Sequence, residues 1–143
     1  MSQLLVVAGL YRDGPRGKYL AQRRPRDHAR YAGRLEFPGG QVDDGETMQA
    51  ALIREWGEEL GVNIQVGKML GEYVLTQPPT ALVVLFDVTH MYGTPSPQDG
   101  QKIEWMQLWE IKKELEEDTG AGSVPSMDWF TEVAKTLEIE RRK

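Results

Sequence analysis

Cysteine is absent from the 143-residue chain, and histidine occurs only as His28 and His90. The first absence excludes a disulfide framework, a thiolate zinc site and a cysteine nucleophile. The scarcity of imidazole argues against a histidine-rich transition-metal site, so any metal is expected to be held by oxygen. Long hydrophobic runs are also missing. The opening run Leu4–Leu10 falls short of the ~20 residues of a membrane span and lacks the basic start and cleavage site of a secretory signal. A cytoplasmic protein with no membrane association is therefore expected. Positive charge is in deficit, 17 Lys and Arg against 22 Asp and Glu, for a formal net charge of −5. That balance argues against a stable nucleic-acid partner.

What is present describes one globular domain spanning residues 1–143, with 40% hydrophobic and 27% charged residues. Its charge is unevenly placed: residues 1–34 carry eight basic and two acidic side chains, and residues 35–143 carry nine basic and twenty acidic. A chain divided in this way can meet an anion with one segment and a cation with another.

The apolar run Leu4–Leu10 and the segment Lys18–Gln22, separated by a turn-prone Asp13-Gly14-Pro15-Arg16-Gly17, predict a first hairpin. Leu35-Glu36-Phe37 reads as a short strand leading into a Pro38-Gly39-Gly40 turn. A helix is predicted from about Thr47 to Leu60, opened by capping candidates and closed by Gly61. Two β-rich runs, Met69–Thr76 and Ala81–His90, flank Gln77-Pro78-Pro79 as a second hairpin. Ile103–Leu108 is a last strand and Trp109–Glu117 a short helix; Phe130, Val133, Ala134 and Leu137 share one stripe of a closing helix. This order predicts a single α+β domain with helices on a mixed sheet.

The helix 47–60 carries the chemistry. At about 100° per residue, Leu52, Ile53, Trp56 and Leu60 occupy one arc, while Glu55, Glu58 and Glu59 gather on another. Like charges at these spacings cost a helix roughly 0.2–0.5 kcal/mol per pair, and Arg54 can offset only one of them. A solvated acidic face and a site for Mg2+ or Mn2+ both satisfy this pattern.

The wider spacing discriminates. Gly40, five residues, Glu46, seven residues, Arg54-Glu55, an apolar Trp56, Gly57, Glu58-Glu59, Leu60, Gly61 and Val62 resemble the Nudix box at every fixed position. Seven identities at about 7% usage coincide by chance on the order of once in 10⁸ windows. Trp56 stands where the family usually has a smaller aliphatic residue. The flanking Ala21-Gln22-Arg23-Arg24, Leu35-Glu36-Phe37-Pro38-Gly39-Gly40 and Gly100-Gln101-Lys102-Ile103-Glu104-Trp105-Met106 are similar to its MutT-like branch.

The resemblance implies an α/β/α sandwich around a mixed sheet. It also implies divalent-metal hydrolysis of a nucleoside diphosphate linked to another group. By that resemblance Glu55, Glu58, Glu59 and the Gly39 carbonyl are metal ligands, and Glu104 is a further acid near the metal, either ligand or general base. Arg54 holds a box glutamate in place; Glu46 is either that partner or a first-turn acid. Arg23 contacts substrate phosphate, a task suited to guanidinium. His28, Phe37 and Asp128 are candidates near the nucleotide, although Phe37 also suits the core and Asp128 a helix N-cap. The branch members that select oxidised guanine carry an asparagine before the last helix, and Val124-Pro125-Ser126-Met127-Asp128 has none.

The leading expectation is a (d)NTP pyrophosphohydrolase, a monomer or homodimer, giving a nucleoside monophosphate and pyrophosphate. Pro78 offers some support for the alternative of a nucleoside diphosphate sugar such as ADP-ribose. A catalytically silent nucleotide-binding module is the alternative of another class, and the intact charged box weighs against it.

Overall fold

The computed structural model describes residues 3–13, 17–24, 35–75 and 80–117. His28, Pro78, Asp128 and the expected closing helix lie outside these residues. Strand β1 (Leu4–Leu10) runs parallel to β6 (Ala81–Tyr92) and antiparallel to β4 (Gly39–Gln41), and β5 (Asn63–Leu75) adds an antiparallel edge. The result is a mixed four-stranded sheet in the order β4-β1-β6-β5. A second sheet is antiparallel, with β2 (Tyr19–Arg23) between β3 (Leu35–Glu36) and β7 (Lys102–Met106).

Both faces of the mixed sheet are covered, which is why β1 and β6 read as continuous apolar runs rather than alternating ones. Val7, Val84, Phe86 and Val88 point to helix α1 (Met48–Leu60), where they meet Ala51, Leu52, Trp56 and Leu60. Ala8, Leu10, Val83 and Leu85 point the other way. They pack with Tyr19, Ala21, Leu35, Phe37 and Met106 of the second sheet and its flanks, and with Leu108 and Ile111 of helix α2 (Leu108–Glu117). Helix, mixed sheet and second layer reproduce the expected α/β/α arrangement.

Three local expectations are corrected. β1 and β2 do not form a continuing hairpin: an Arg12–Tyr19 bridge joins their ends, and the strands then enter different sheets. Apolar demand on both faces of β1 directs it to β6, away from its chain neighbour. Gly39 and Gly40 are strand residues opposite Ala8 and Val7, not a turn. Ile53 is 40% exposed, whereas Ala51 is fully buried. The buried arc of α1 is therefore rotated toward its carboxylates, so Glu59 lies between the buried directions of Leu52 and Ala51. The β5–β6 hairpin has the expected pairing, with β5 beginning earlier, at Asn63.

Candidate active site

Helix α1 is set by its ends. The Thr47 side chain accepts from the Ala50 N–H at 3.1 Å, and Gly61 closes the helix at φ 70°. This fixes which carboxylates reach β4. A Cβ on Gly40 would lie 2.5 Å from the Glu55 carboxyl carbon, so the space that a side chain would take is filled by that carboxylate. The Glu59 carboxylate accepts from the Gly39 N–H at 3.3 Å.

Arg54 organises the outer part of the array. Its guanidinium donates twice to Glu46, at 2.9 and 3.0 Å, and also to Glu55 at 2.9 Å, Glu58 at 3.3 Å and the Gln41 carbonyl at 3.1 Å. Glu46 is thus the partner of Arg54, and the bidentate geometry is the strong form of this pair. Hydrogen bonding from Arg54 and the Asp43 N–H holds the Glu46 carboxyl below its ordinary range. Glu55 is 16% exposed and Glu58 is 62% exposed, so only Glu58 is largely solvated.

Deeper in the site the balance reverses. Burial pushes the Glu55 carboxyl up against the opposing pull of Arg54. Burial, followed by the Glu36 and Glu55 charges, pushes Glu59 up to about 8. Such a shift marks carboxylates short of positive charge in a low-dielectric place. Among the described residues no three acids or histidines stand as a closed metal-ligand cluster. Instead Glu55 and Glu58 turn to Arg54, while Glu59 turns to Gly39.

Arg23 and Glu104 meet across β2 and β7, with Nε 2.6 Å from the Glu104 carboxylate and Nη1 2.7 Å from Glu114 of α2. Phe37 is buried in the core between the sheets, the position its strand context favours. Three polar residues were not singled out from the sequence. Glu36 accepts from Arg24 at 3.0 Å and from Gln22 at 3.3 Å, and Gln101 donates to the Glu59 carbonyl at 2.8 Å. An acid between the core positions Leu35 and Phe37 was the available signal for Glu36. Neither glutamine carries one.

The structure thus places a cluster of carboxylates on one helix against two glycines of the mixed sheet, with Glu55 and Glu59 largely buried and Glu58 exposed. The chain belongs to the Nudix family, and the NUDIX domain model matches residues 3–130. It is 30% identical to the 8-oxo-dGTP diphosphatase of Escherichia coli K12 over 76% of this chain and 83% of that protein. It is 31% identical to the CTP pyrophosphohydrolase of the same organism over 73% of this chain and 76% of that one. A MutT protein from Methanosarcina mazei has the same fold, with a TM-score of 0.76 at 22% identity, covering 100% of this chain and 99% of that one.

Proposed function

We propose that the chain is a divalent-metal-dependent nucleoside triphosphate pyrophosphohydrolase that releases a nucleoside monophosphate and pyrophosphate. The observation that carries this reading is the Glu55–Glu59 array beside Gly39 and Gly40, buried and undercompensated although Arg54 is already engaged. Its relatives support the class of reaction. Two of them, near 30% identity, are named for different bases, and the nucleotide panel below includes both.

The donor set fits Mg2+ or Mn2+. All candidate ligands are oxygens, Gly40 leaves room for a carboxylate, and the elevated Glu55 and Glu59 carboxyls would be relieved by a cation. Glu55, Glu58, Glu59 and the Gly39 carbonyl would hold it, with Glu104 as the further acid. When bound, the ion screens phosphate charge and lowers the pKa of water.

The chain's own residues supply position and proton traffic. Arg54 restrains Glu55 and Glu58 and ties them to β4 through the Gln41 carbonyl. Arg23 offers a guanidinium to substrate phosphate, for which the phosphate competes with Glu104 and Glu114. Glu104, released from that pair, takes a proton from the attacking water as pyrophosphate departs. Catalysis is then mainly positioning and electrostatics.

The test is a panel of nucleotides, including dNTPs, an oxidised purine triphosphate, CTP and ADP-ribose, assayed with Mg2+ or Mn2+ for phosphate and pyrophosphate. Pyrophosphate from a triphosphate, abolished by chelator and lowered at least 100-fold by Glu59→Gln in folded protein, is the expected result. Turnover unchanged in Glu59→Gln would overturn the site assignment.

A further inference from the structure

Gln22 and Gln101 are 3% and 7% exposed, the two polar side chains buried among the described residues. A buried carboxamide is costly unless its hydrogen bonds are satisfied. Here the partners fix the direction of every amide. The Asp99 N–H can only donate, and it lies 2.8 Å from Gln101 Oε1. That places Gln101 Nε2 toward the Glu59 carbonyl at 2.8 Å and Gln22 Oε1 at 3.4 Å. Gln22 Oε1 being so occupied, its Nε2 faces carboxylates: Glu36 at 3.3 Å, and the side chain of Glu59.

We infer that Gln22 and Gln101 are positioning residues for Glu59, Gln101 gripping its backbone carbonyl and Gln22, braced by Gln101 and Glu36, presenting its amide toward the side chain. The Gln98 N–H, 3.0 Å from that carbonyl, adds a second hold from the same loop. The Gly39 N–H, 3.3 Å away, also holds the Glu59 carboxylate against the repulsion of Glu36 and Glu55. Together these contacts leave Glu59 one orientation prepared for a cation, at the cost of burying two polar groups. This inference rests on reading the α1 carboxylates as a divalent-cation site.

The test measures Mn2+ affinity of the nucleotide-free protein by electron paramagnetic resonance, beside a thermal melt. Gln22→Met keeps length and volume but removes the donors. It is expected to weaken Mn2+ binding at least tenfold, with Gln101→Met weakening it about threefold, in protein that still melts cooperatively. A purely structural role would lower Tm and leave the Mn2+ affinity of the folded protein unchanged, and that result overturns the inference. If Gln22→Met does not fold, Gln101→Met decides on the same criterion. Wild-type protein that binds no Mn2+ would instead overturn the cation-site reading on which the inference depends.

Discussion

Replacing Trp56 by leucine, the kind of side chain the family usually has there, tests how this chain accommodates its one departure from the box. Trp56 is fully buried, and its indole N–H donates to the Pro38 carbonyl at 2.9 Å. Losing about 80 Å² of buried aromatic surface removes about 2 kcal/mol at 25 cal/mol per Å². A residual void of about 50 Å³ adds about 1 kcal/mol. The lost hydrogen bond adds about 1 kcal/mol and no more, because the Gly9 N–H, 2.9 Å away, still satisfies the Pro38 carbonyl. The total of about 4 kcal/mol lies below the 5–15 kcal/mol of an ordinary domain, so the variant stays folded with Tm lowered by about 12 °C.

The same geometry predicts a coupled partner. A Cβ on Gly9 would lie 2.9 Å from the Trp56 ring and 2.9 Å from a Val88 methyl. Gly9→Ala should therefore cost about 1–3 kcal/mol in the wild-type background by overpacking. With leucine at position 56 the ring contact is gone and only Val88 must yield, so the same change should cost less than half as much. Urea unfolding of the four proteins in a double-mutant cycle reads the difference, expected at about 1 kcal/mol. Equal costs in the two backgrounds, within about 0.4 kcal/mol, would refute the claim that Gly9 is there to admit Trp56.

Arg54→Gln should lower the urea midpoint through loss of the bidentate, charge-assisted bonds to Glu46; an unchanged midpoint would reduce the pair to a surface contact. In the metal-free protein Glu59 keeps its proton up to about pH 8, whereas the unfolded chain loses it near 4.5. The folded state therefore holds the extra proton between these values, and stability falls as pH rises, by up to about 1.4 kcal/mol per unit from this group. Chelator-treated Glu59→Gln should show a flatter profile, and parallel profiles would contradict the burial argument. Gly40→Ala should lower turnover at least tenfold by displacing the Glu55 carboxylate, while Gly45→Ala, at φ 79° with open space around it, should cost about 1 kcal/mol and leave kcat unchanged; equal losses of activity would sink the close-approach reading.

The box spacing made α1, its caps and its carboxylates legible in the sequence, because an α-helix converts spacing directly into direction. Pairing was less legible. The run Leu4–Leu10 announces a strand buried on both faces but not that its partners are Ala81–Tyr92 and Gly39–Gln41, contacts made across long stretches of chain. Ile53 misled because a helical wheel has no origin: only packing decides where the buried arc is centred, and here it includes Ala51 and borders Glu59. Glu46 illustrates the opposite case, a residue whose two readings were equal in sequence and which one guanidinium resolved. Gln22 and Gln101 were invisible for a different reason. Their role is a chain of hydrogen bonds between segments almost eighty residues apart, and no local pattern encodes it.

The location of the site follows from where the chain changes sheets. Only Phe37 and Pro38 separate β3 of the antiparallel sheet from β4 of the mixed one. A segment that short cannot relax independently of either layer, and its Pro38 carbonyl is held at once by Gly9 of β1 and Trp56 of α1. The last turn of α1 is held from the other side, its Glu59 and Leu60 carbonyls receiving Gln98 and Ser96 N–H donors from the loop leading to β7. Glu55 and Glu59 therefore stand between two anchored backbones, and the burial and repulsion that raise their pKa values cannot be released by moving the helix. Stability that the carboxylates forfeit is supplied by these anchors and by the apolar face of α1. The site can then remain short of positive charge, as the proposed cation site requires.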